Sequence, residues 1–327
     1  MAKMSVLVIG GAGYIGSHVA HELCAAGHEV LVYDNLSTGR IENLPTTVQF
    51  QRGDILDSTL LEQVFNDNQF DGVFHFAALK AAGESMTKPD RYAQHNIAGS
   101  INILNAMICS DVSRIIFSSS AAVYGLPRYL PVDEEHPQNP INFYGYTKLN
   151  IEHLLKWYSD LKGIRYAALR YFNAAGYDTQ GRVRGKEKDP ANLLPIVMET
   201  AAGERSKLQV YGDDYETHDG TCIRDYIHVN DLADAHLRAL NYLGDQSDNL
   251  VLNLGTGRGY TVLEVIEAAK SVTGRDIQYE VVARRPGDAA ELTAVSKVAS
   301  GKLDWQPQNS TIEQILTSMW TVYAPPS

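Results

Sequence analysis

Cysteine is scarce in this chain. Cys24, Cys109 and Cys222 lie far apart, with no CxxC spacing, so there is no disulfide framework, and a reducing compartment is expected. All three read as core fillers, and no metal site is expected. Long apolar runs are missing as well. None approaches the ~18 residues of a membrane span, and the short run at 5–9 leads straight into glycines. It has neither the length nor the small-residue cleavage site of a signal peptide, so a cytoplasmic protein is expected. Basic charge is in deficit, with 28 Lys and Arg against 39 Asp and Glu. A net charge of −11 argues against a general nucleic-acid or membrane-surface binder. Internal repeats and low-complexity tracts are absent.

What is present is ordinary globular composition, 44% hydrophobic and 20% charged over 327 residues, enough for about two domains. Apolar runs at 6–9, 30–33, 48–51, 73–76 and 115–118 read as buried parallel strands. Between the first two, Ile15, Val19, Leu23 and Ala26 recur at helical spacing, and Gly27 stands where a helix ends. A second helix is expected at 89–107, a long one from Tyr144 to Lys162, then a strand at 166–170. This alternation predicts an α/β fold, a Rossmann-type doubly wound parallel sheet with ligands at the strands' carboxyl ends. Residues 1–175 would form the nucleotide-binding domain and 176–327 a smaller, interleaved C-terminal α/β lid domain. Helices are expected there at 193–203, 230–243, 262–272 and 311–319, with 250–255 returning to the first sheet.

Gly10-Gly-Ala-Gly13-Tyr14-Ile15-Gly16 follows the first strand and opens the first helix. Glycines there let backbone N–H groups approach a pyrophosphate at a helix N-terminus. Asp34 ends the second strand, where a carboxylate accepts a ribose 2′-hydroxyl and repels a 2′-phosphate, so NAD is favoured over NADP. Asp54, after the third strand, offers another carboxylate near the adenine end.

Tyr144 and Lys148 are four apart on a helix and share a face. A phenol with a pKa of ~10 is a poor base at neutral pH. A neighbouring ammonium and a positive nicotinamide ring would both lower it. The phenolate could then take a proton from a sugar hydroxyl as hydride leaves the same carbon, with Ser120 relaying. The spacing recurs at Tyr158 and Lys162, about 21 Å further along at ~1.5 Å per residue. Tyr144, at the helix's beginning, is the one near the strand ends, so Tyr158 is expected to be inert.

The glycine turn, Ser120 and Tyr-x-x-x-Lys together resemble the extended short-chain dehydrogenase/reductases. Longer strings narrow the resemblance: Val-Tyr-Asp34-Asn35-Leu-Ser37, His75-Phe-Ala-Ala-Leu-Lys80-Ala-Ala-Gly-Glu-Ser85, Ser118-Ser-Ser-Ala-Ala-Val-Tyr124-Gly, Arg170-Tyr-Phe-Asn173, Gly212-Asp-Asp-Tyr-Glu-Thr-His-Asp-Gly-Thr221 and Arg224-Asp-Tyr-Ile-His-Val229. These are similar to the UDP-glucose 4-epimerase family from end to end. The resemblance implies Tyr144 as base, Ser120 as its helper, and Lys148 holding the nicotinamide ribose. It places Gly10, Gly13, Tyr14, Ile15, Gly16, Asp34, Asn35, Ser37, Asp54, Ile55, Phe76, Ala77, Leu79, Lys80, Asn96, Ser118 and Phe172 around NAD. The UDP-sugar would meet Lys80, Ser120, Tyr144, Asn173, Asn192, Leu193, Tyr211, Arg224, Arg285 and Asp288, with uracil on the Tyr211 face and the diphosphate paired by arginines. Leu292, four residues after Asp288, would border the sugar's 2-position, where relatives confined to UDP-glucose and UDP-galactose often carry Tyr. Leucine there leaves room for an N-acetyl group.

His95, His218 and Val295 depart from the family's pattern, and no cofactor contact is assigned to His95. The expected reaction is interconversion of UDP-galactose and UDP-glucose through a 4-keto sugar. Rivals are a nucleotide-sugar 4,6-dehydratase or decarboxylase, a UDP-glucuronate 4-epimerase, and an inactive NAD-sensing binding protein. Dehydratases carry Asp and Glu after the Ser120 position, and this chain has Ala121 and Ala122. A homodimer is implied through helices at 89–107 and 144–160. Its apolar stripe would be Ile97, Ile101, Leu104 and Ile108, or Leu154, Leu155 and Tyr158.

Overall fold

A computed structural model describes residues 3–188, 190–285 and 287–325. Six strands come from the first half: β1 (Ser5–Ile9), β2 (Glu29–Asp34), β3 (Gln49–Arg52), β4 (Gly72–His75), β5 (Arg114–Ser120) and β6 (Arg165–Tyr171). After them come β7 (Asn173–Ala175), β8 (Leu208–Tyr211), β9 (Ile223–His228), β10 (Leu250–Leu254), β11 (Gly259–Thr261), β12 (Tyr279–Val282) and β13 (Glu291–Leu292). Seven of these form one parallel sheet in the order β10-β6-β5-β4-β1-β2-β3. Its central strands are apolar on both faces because helices cover both.

On one face lie α1 (Tyr14–Ala25) and, on the other, α2 (Ser58–Asp67). The short α3 (Ala82–Ser85) and α4 (Pro89–Tyr92) lead into α5 (Gly99–Cys109), and α6 (Phe143–Lys162) packs beside α5 over the α2 face. The single helix expected at 89–107 is interrupted by a wide π turn at Ala93–Ala98. That turn directs Asn96 inward, where its side chain accepts from Leu79 N at 2.8 Å and donates to Leu79 O and Thr147 at 3.0 Å.

The later helices are α7 (Leu193–Ala201), α8 (Val229–Asp245), α9 (Val262–Thr273), α10 (Lys297–Leu303) and α11 (Ile312–Tyr323). α8 packs on α1, and residues of α8, β10 and α10 share the core of that sheet face. β10 lies beside β6, with Leu250 opposite Ala167 and Leu254 opposite Tyr171. The second body is built around β9, which pairs with β7, β11 and β13, and around the parallel pair β8 and β12. Helices α7, α9 and α11 close its core.

Strand order reverses about β1, so the chain leaves β1 and β4 toward opposite faces of the sheet, and a crevice opens at their carboxyl ends. The second body stands over that crevice. Among the described residues no helix is long and apolar enough to cross a membrane. Two details differ from the sequence reading. Cys109 is exposed at the end of α5 and fills no core. Leu104 and Leu155 are fully buried against the parent sheet, so neither can join an external stripe.

Candidate active site

The glycine turn between β1 and α1 is held by contact with the next strand over. Gly10 has φ +78°, and a Cβ on it would stand 2.5 Å from Ala77 N, so only glycine fits. The first-turn N–H groups of α1 have no partners within the helix. Tyr14, Ile15 and Gly16 line the cleft in front of them, a ready anion site. Asp34 closes the far side. Its carboxylate accepts from Ala12 N at 2.9 Å and Leu36 N at 2.8 Å; burial pushes its pKa up against the pull of these two groups. No cation is paired with Asp34 among the described residues. These groups fit NAD: a backbone cradle for the pyrophosphate and a carboxylate for the adenosine ribose.

Gly10, Gly13, Tyr14, Ile15, Gly16, Phe76, Lys80, Ser118, Ser120, Tyr144, Lys148 and Phe172 line one cleft of about 320 Å³. Others named from the sequence stand behind it. Asn35 donates to Asp54 at 2.8 Å and its carbonyl oxygen accepts from Ser37 N at 2.9 Å. Ile55 and Asn96 are buried; Asn96 shapes the loop carrying Ala77, Leu79 and Lys80 by holding the Leu79 peptide.

Tyr144 reaches the cleft because α6 starts there. Asn142 caps the helix, accepting from Gly145 N at 2.8 Å, and Ser85 Oγ accepts from Tyr144 N at 3.0 Å. Gly145 allows this first turn to lie against the backbone after β5, since a Cβ on it would stand 2.4 Å from Ala122 O. The phenol therefore meets Ser120, its hydrogen-bond partner. One turn on, the Lys148 ammonium is buried, donates to Ser118 O at 2.7 Å, and lies 4.8 Å from the Phe117 ring centre and 5.8 Å from that of Tyr144. Burial pulls Lys148 down to about 7, with Glu152 acting the other way. The spacing suggested a lowered phenol. In the structure burial outweighs all else and raises Tyr144, with only the Ser120 hydrogen bond opposing. Tyr158 is elsewhere, donating to Asn105 at 2.9 Å.

A second cleft of about 720 Å³ shares Ser120, Phe172, Asn173 and Asn192 with the first and runs under the second body. Leu193, Tyr211, Arg224, Arg285, Asp288 and Leu292 line it too. Arg224 is anchored, donating to Ile223 O at 2.8 Å and Ala289 O at 2.9 Å, with Asp288 at 3.4 Å. The Arg285 guanidinium stacks 3.7 Å from the Tyr211 ring centre; Pro286, beside it, lies outside the described residues. The polar groups gather at this far end. Ala82, Ala121, Ala122, Ala174 and Ala175 also line this cleft, small and without hydrogen-bonding side chains, beside Ser120 and the amides of Asn142 and Asn173.

Sequence reasoning missed a strap. Residues 182–188 leave the second body and cross the first cleft, where Gly185, Lys186, Glu187 and Lys188 face Thr38, Arg40 and Asn43. Asn43 exchanges two hydrogen bonds with the Gly185 peptide, at 2.7 and 3.2 Å. Arg40 donates to Lys186 O at 2.7 Å, Arg182 pairs with Glu22, and Lys80 pairs with Glu187. These residues have no periodicity to betray them; Gly185 among charges is the only signal. His218 meets Glu264 at 3.2 Å, away from both clefts.

A pyrophosphate cradle on a doubly wound sheet, opening onto a Tyr–Lys–Ser group, defines a dinucleotide-dependent enzyme of the Rossmann class. The comparisons narrow this. The NAD dependent epimerase/dehydratase family matches residues 6–255, and the chain belongs to that family. It is 45% identical over 319 residues to the UDP-glucose 4-epimerase of Streptococcus mutans, covering 97% of this chain and 96% of that one. It is similar to the crystal structure of UDP-glucose 4-epimerase from Brucella ovis in complex with NAD, with 45% identity, 97% of each chain covered and a TM-score of 0.94. The UDP-Glc/GlcNAc 4-epimerase of Campylobacter jejuni is 39% identical, with a TM-score of 0.86 over 98% of this chain and 99% of that one.

Proposed function

We propose that this chain interconverts UDP-galactose and UDP-glucose by NAD-dependent oxidation and re-reduction at carbon 4. The observation that carries the reading is the meeting of the two clefts at Ser120, directly beside Tyr144 and Lys148. When bound, NAD supplies the hydride acceptor and a ring charge that favours phenolate. Gly10, Gly13, Tyr14, Ile15 and Gly16 would hold its pyrophosphate and Asp34 its adenosine ribose. Lys148, with Nζ fixed by Ser118 O, holds the nicotinamide ribose and favours the ionised phenol. Tyr144 takes the carbon-4 hydroxyl proton, with Ser120 relaying, and gives it back to the carbon-4 oxygen after the 4-keto sugar has turned over, so that carbon 4 is re-reduced on its opposite face.

Arg224, Arg285, Asn173, Asn192 and Tyr211 grip the UDP half. The alanines in the wall near Ser120 offer the hexose few hydrogen bonds to hold it, so it is free to turn. Ala121 and Ala122 also line this wall, so the groups that 4,6-dehydration needs to move protons are missing there. Leu292 leaves room for activity on N-acetylated UDP-sugars. We also propose a nucleotide-binding domain over 1–175 and a UDP-sugar domain over 176–327, the latter lending 250–255 to the first sheet. A cytoplasmic homodimer is proposed too. Exposed Trp157 and Leu161 on α6, with half-buried Leu154, Tyr158, Ile97, Ile101 and Ile108, support such an interface.

The test is turnover of UDP-galactose by purified protein with no added cofactor. UDP-glucose should accumulate with no net change in nicotinamide absorbance. Product formation that demands stoichiometric NAD would sink the epimerase reading in favour of a dehydrogenase.

A further inference from the structure

Beneath Tyr144 and Lys148 lies a buried ion pair that the reaction as written does not use. Glu152 is one turn further along α6 and Arg170 is on β6, their side chains 6% and 2% exposed. Arg170 donates from Nε to Glu152 Oε1 at 3.0 Å and from Nη2 to Oε2 at 2.6 Å; Ser119 donates to Oε1 at 2.5 Å. Tyr124 closes the far side, accepting from Arg170 at 2.8 Å and donating to Asn253 at 2.6 Å. A pair stripped of water this way is rarely more stable than apolar residues of the same shape, so stability is a poor reason for its place here.

We propose that Glu152, held by Arg170 and Ser119, is a positioning residue for the epimerisation, its carboxylate biasing the Lys148–Tyr144 pair toward ammonium and phenolate. This rests on the roles proposed above for those two residues. The groups facing Lys148 are few. Its own helix contributes Tyr144 and Glu152, β5 the Ser118 carbonyl and Phe117 ring, and β4 the neutral His75; on β6, Arg170 faces Glu152 and Tyr171 faces Ser118 and Tyr144. Glu152 is the anion among these described residues. An anion favours the proton-bound form of its neighbours, the nearer the more. Glu152 is four residues from Lys148 and eight from Tyr144, about 6 and 12 Å along the axis at ~1.5 Å per residue. At an effective dielectric of ~20 the difference favours ammonium–phenolate over the neutral pair about tenfold.

The experiment is the pH profile of kcat for UDP-galactose with the holoenzyme, wild type against Glu152→Gln. The variant's plateau should fall about tenfold, and both limbs should move to lower pH, because the pair has lost an anion that favoured bound protons. Glu152→Asp keeps the charge and should keep the limbs where wild type has them. A plateau that falls while the limbs of Glu152→Gln stay put marks a structural role and overturns the proposal. Should Glu152→Gln not fold with Arg170 unpaired, the double variant Glu152→Gln, Arg170→Gln removes both charges, and because the Arg170 charge acts oppositely the shift is smaller than in the single variant. Its limbs should move the same way, and an unshifted profile again overturns the proposal. Tyr144→Phe and Lys148→Met are run alongside. If either stays active, the roles of those residues fail on their own account and the proposal goes with them.

Discussion

Leu292→Tyr should divide two activities that the wild type carries together. Leu292 sits on the two-residue strand β13, opposite Arg224 in register with β9. It is half-buried, packed on a small cluster of Ala121, Val123, Tyr124 and Val132 with Phe172. It therefore stands between the anchored arginine of the diphosphate end and the wall that faces the sugar. A tyrosine here cannot retreat into that cluster, because Val123, Tyr124 and Val132 are fully buried and already packed. Its ring must extend into the cleft. For UDP-glucose or UDP-galactose, with a hydroxyl at carbon 2, the cost should be small. For the N-acetyl sugars the ring takes the acetamido group's space, and overpacking of that order costs ~1–3 kcal/mol, or about 10–200-fold in rate. The assay compares kcat/KM on UDP-galactose and UDP-N-acetylgalactosamine, wild type beside variant. Wild type should turn over both, and the variant should lose the second selectively. The reasoning is refuted if wild type has no N-acetyl activity, or if the variant loses both in proportion.

Tyr144→Phe should cut turnover by ~10²–10⁴-fold with NAD still bound, whereas Tyr158→Phe, which gives up only a hydrogen bond to Asn105, should keep wild-type rates; equal losses would mean the wrong tyrosine has been assigned. NAD should co-purify with the chain, and Asn43→Ala with Arg40→Ala, which cuts the strap's anchors at Gly185 and Lys186, should speed exchange with labelled NAD in solution; unchanged exchange would remove the strap from cofactor retention. Burial holds His18, His228 and His236 at about 4 and His75 at about 3. Below ~6.5 the unfolded chain takes up protons that the folded chain refuses, so stability is full above ~6.5 and falls toward pH 4, by up to ~1.4 kcal/mol per pH unit for each histidine. A urea midpoint that does not drop between pH 7 and pH 5 would contradict this.

The parallel sheet was legible because strands covered on both faces must carry unbroken apolar runs, as β1, β4 and β5 do at 6–9, 73–74 and 115–117. α6 was legible too, with Gly163 at φ +72° ending it. Tyr144, Lys148 and Ser120 are brought together as their places after β5 and at the start of α6 suggest. Other features resist such reading for physical reasons. The turn at Ala93–Ala98 differs from an α-helix by its hydrogen-bond pattern, which leaves the apolar spacing nearly unchanged. The strap is polar, and its order comes from partners such as Asn43 that are 142 residues away. Arg170 and Glu152 did leave a trace, a cation inside the strand expected at 166–170 and an anion between Ile151 and Leu155 on the buried face of α6. Each looks anomalous alone; only the sheet shows them to be partners.

The two clefts are built for different lifetimes, and the contrast follows from their linings. The first is crossed by the strap, whose links reach Arg40, Asn43, Lys80 and Glu22, all on the nucleotide-binding side. A molecule beneath it leaves only when several of these open together, which suits a cofactor regenerated in every cycle. Among the described residues lining the second cleft the links stay within the second body, Lys207 pairing with Glu280 and Arg224 with Asp288. Arg224 is tied within its own body, and Arg285 rests on Tyr211, a face that on the proposed reading it yields to the uracil. That exchange replaces one stacking contact with another, so opening for substrate costs little. The shared wall at Ser120, Phe172 and Asn173 then has to serve a tenant that stays and one that leaves. It does so with the Ser120 hydroxyl and Phe172 ring at the junction of the two and Ala121, Ala122 and Ala175 on the second cleft's side. An enzyme that returned hydride to one face only would gain by gripping the hexose there. Small apolar walls beside a firmly held diphosphate are what a reaction through two faces of one keto group requires.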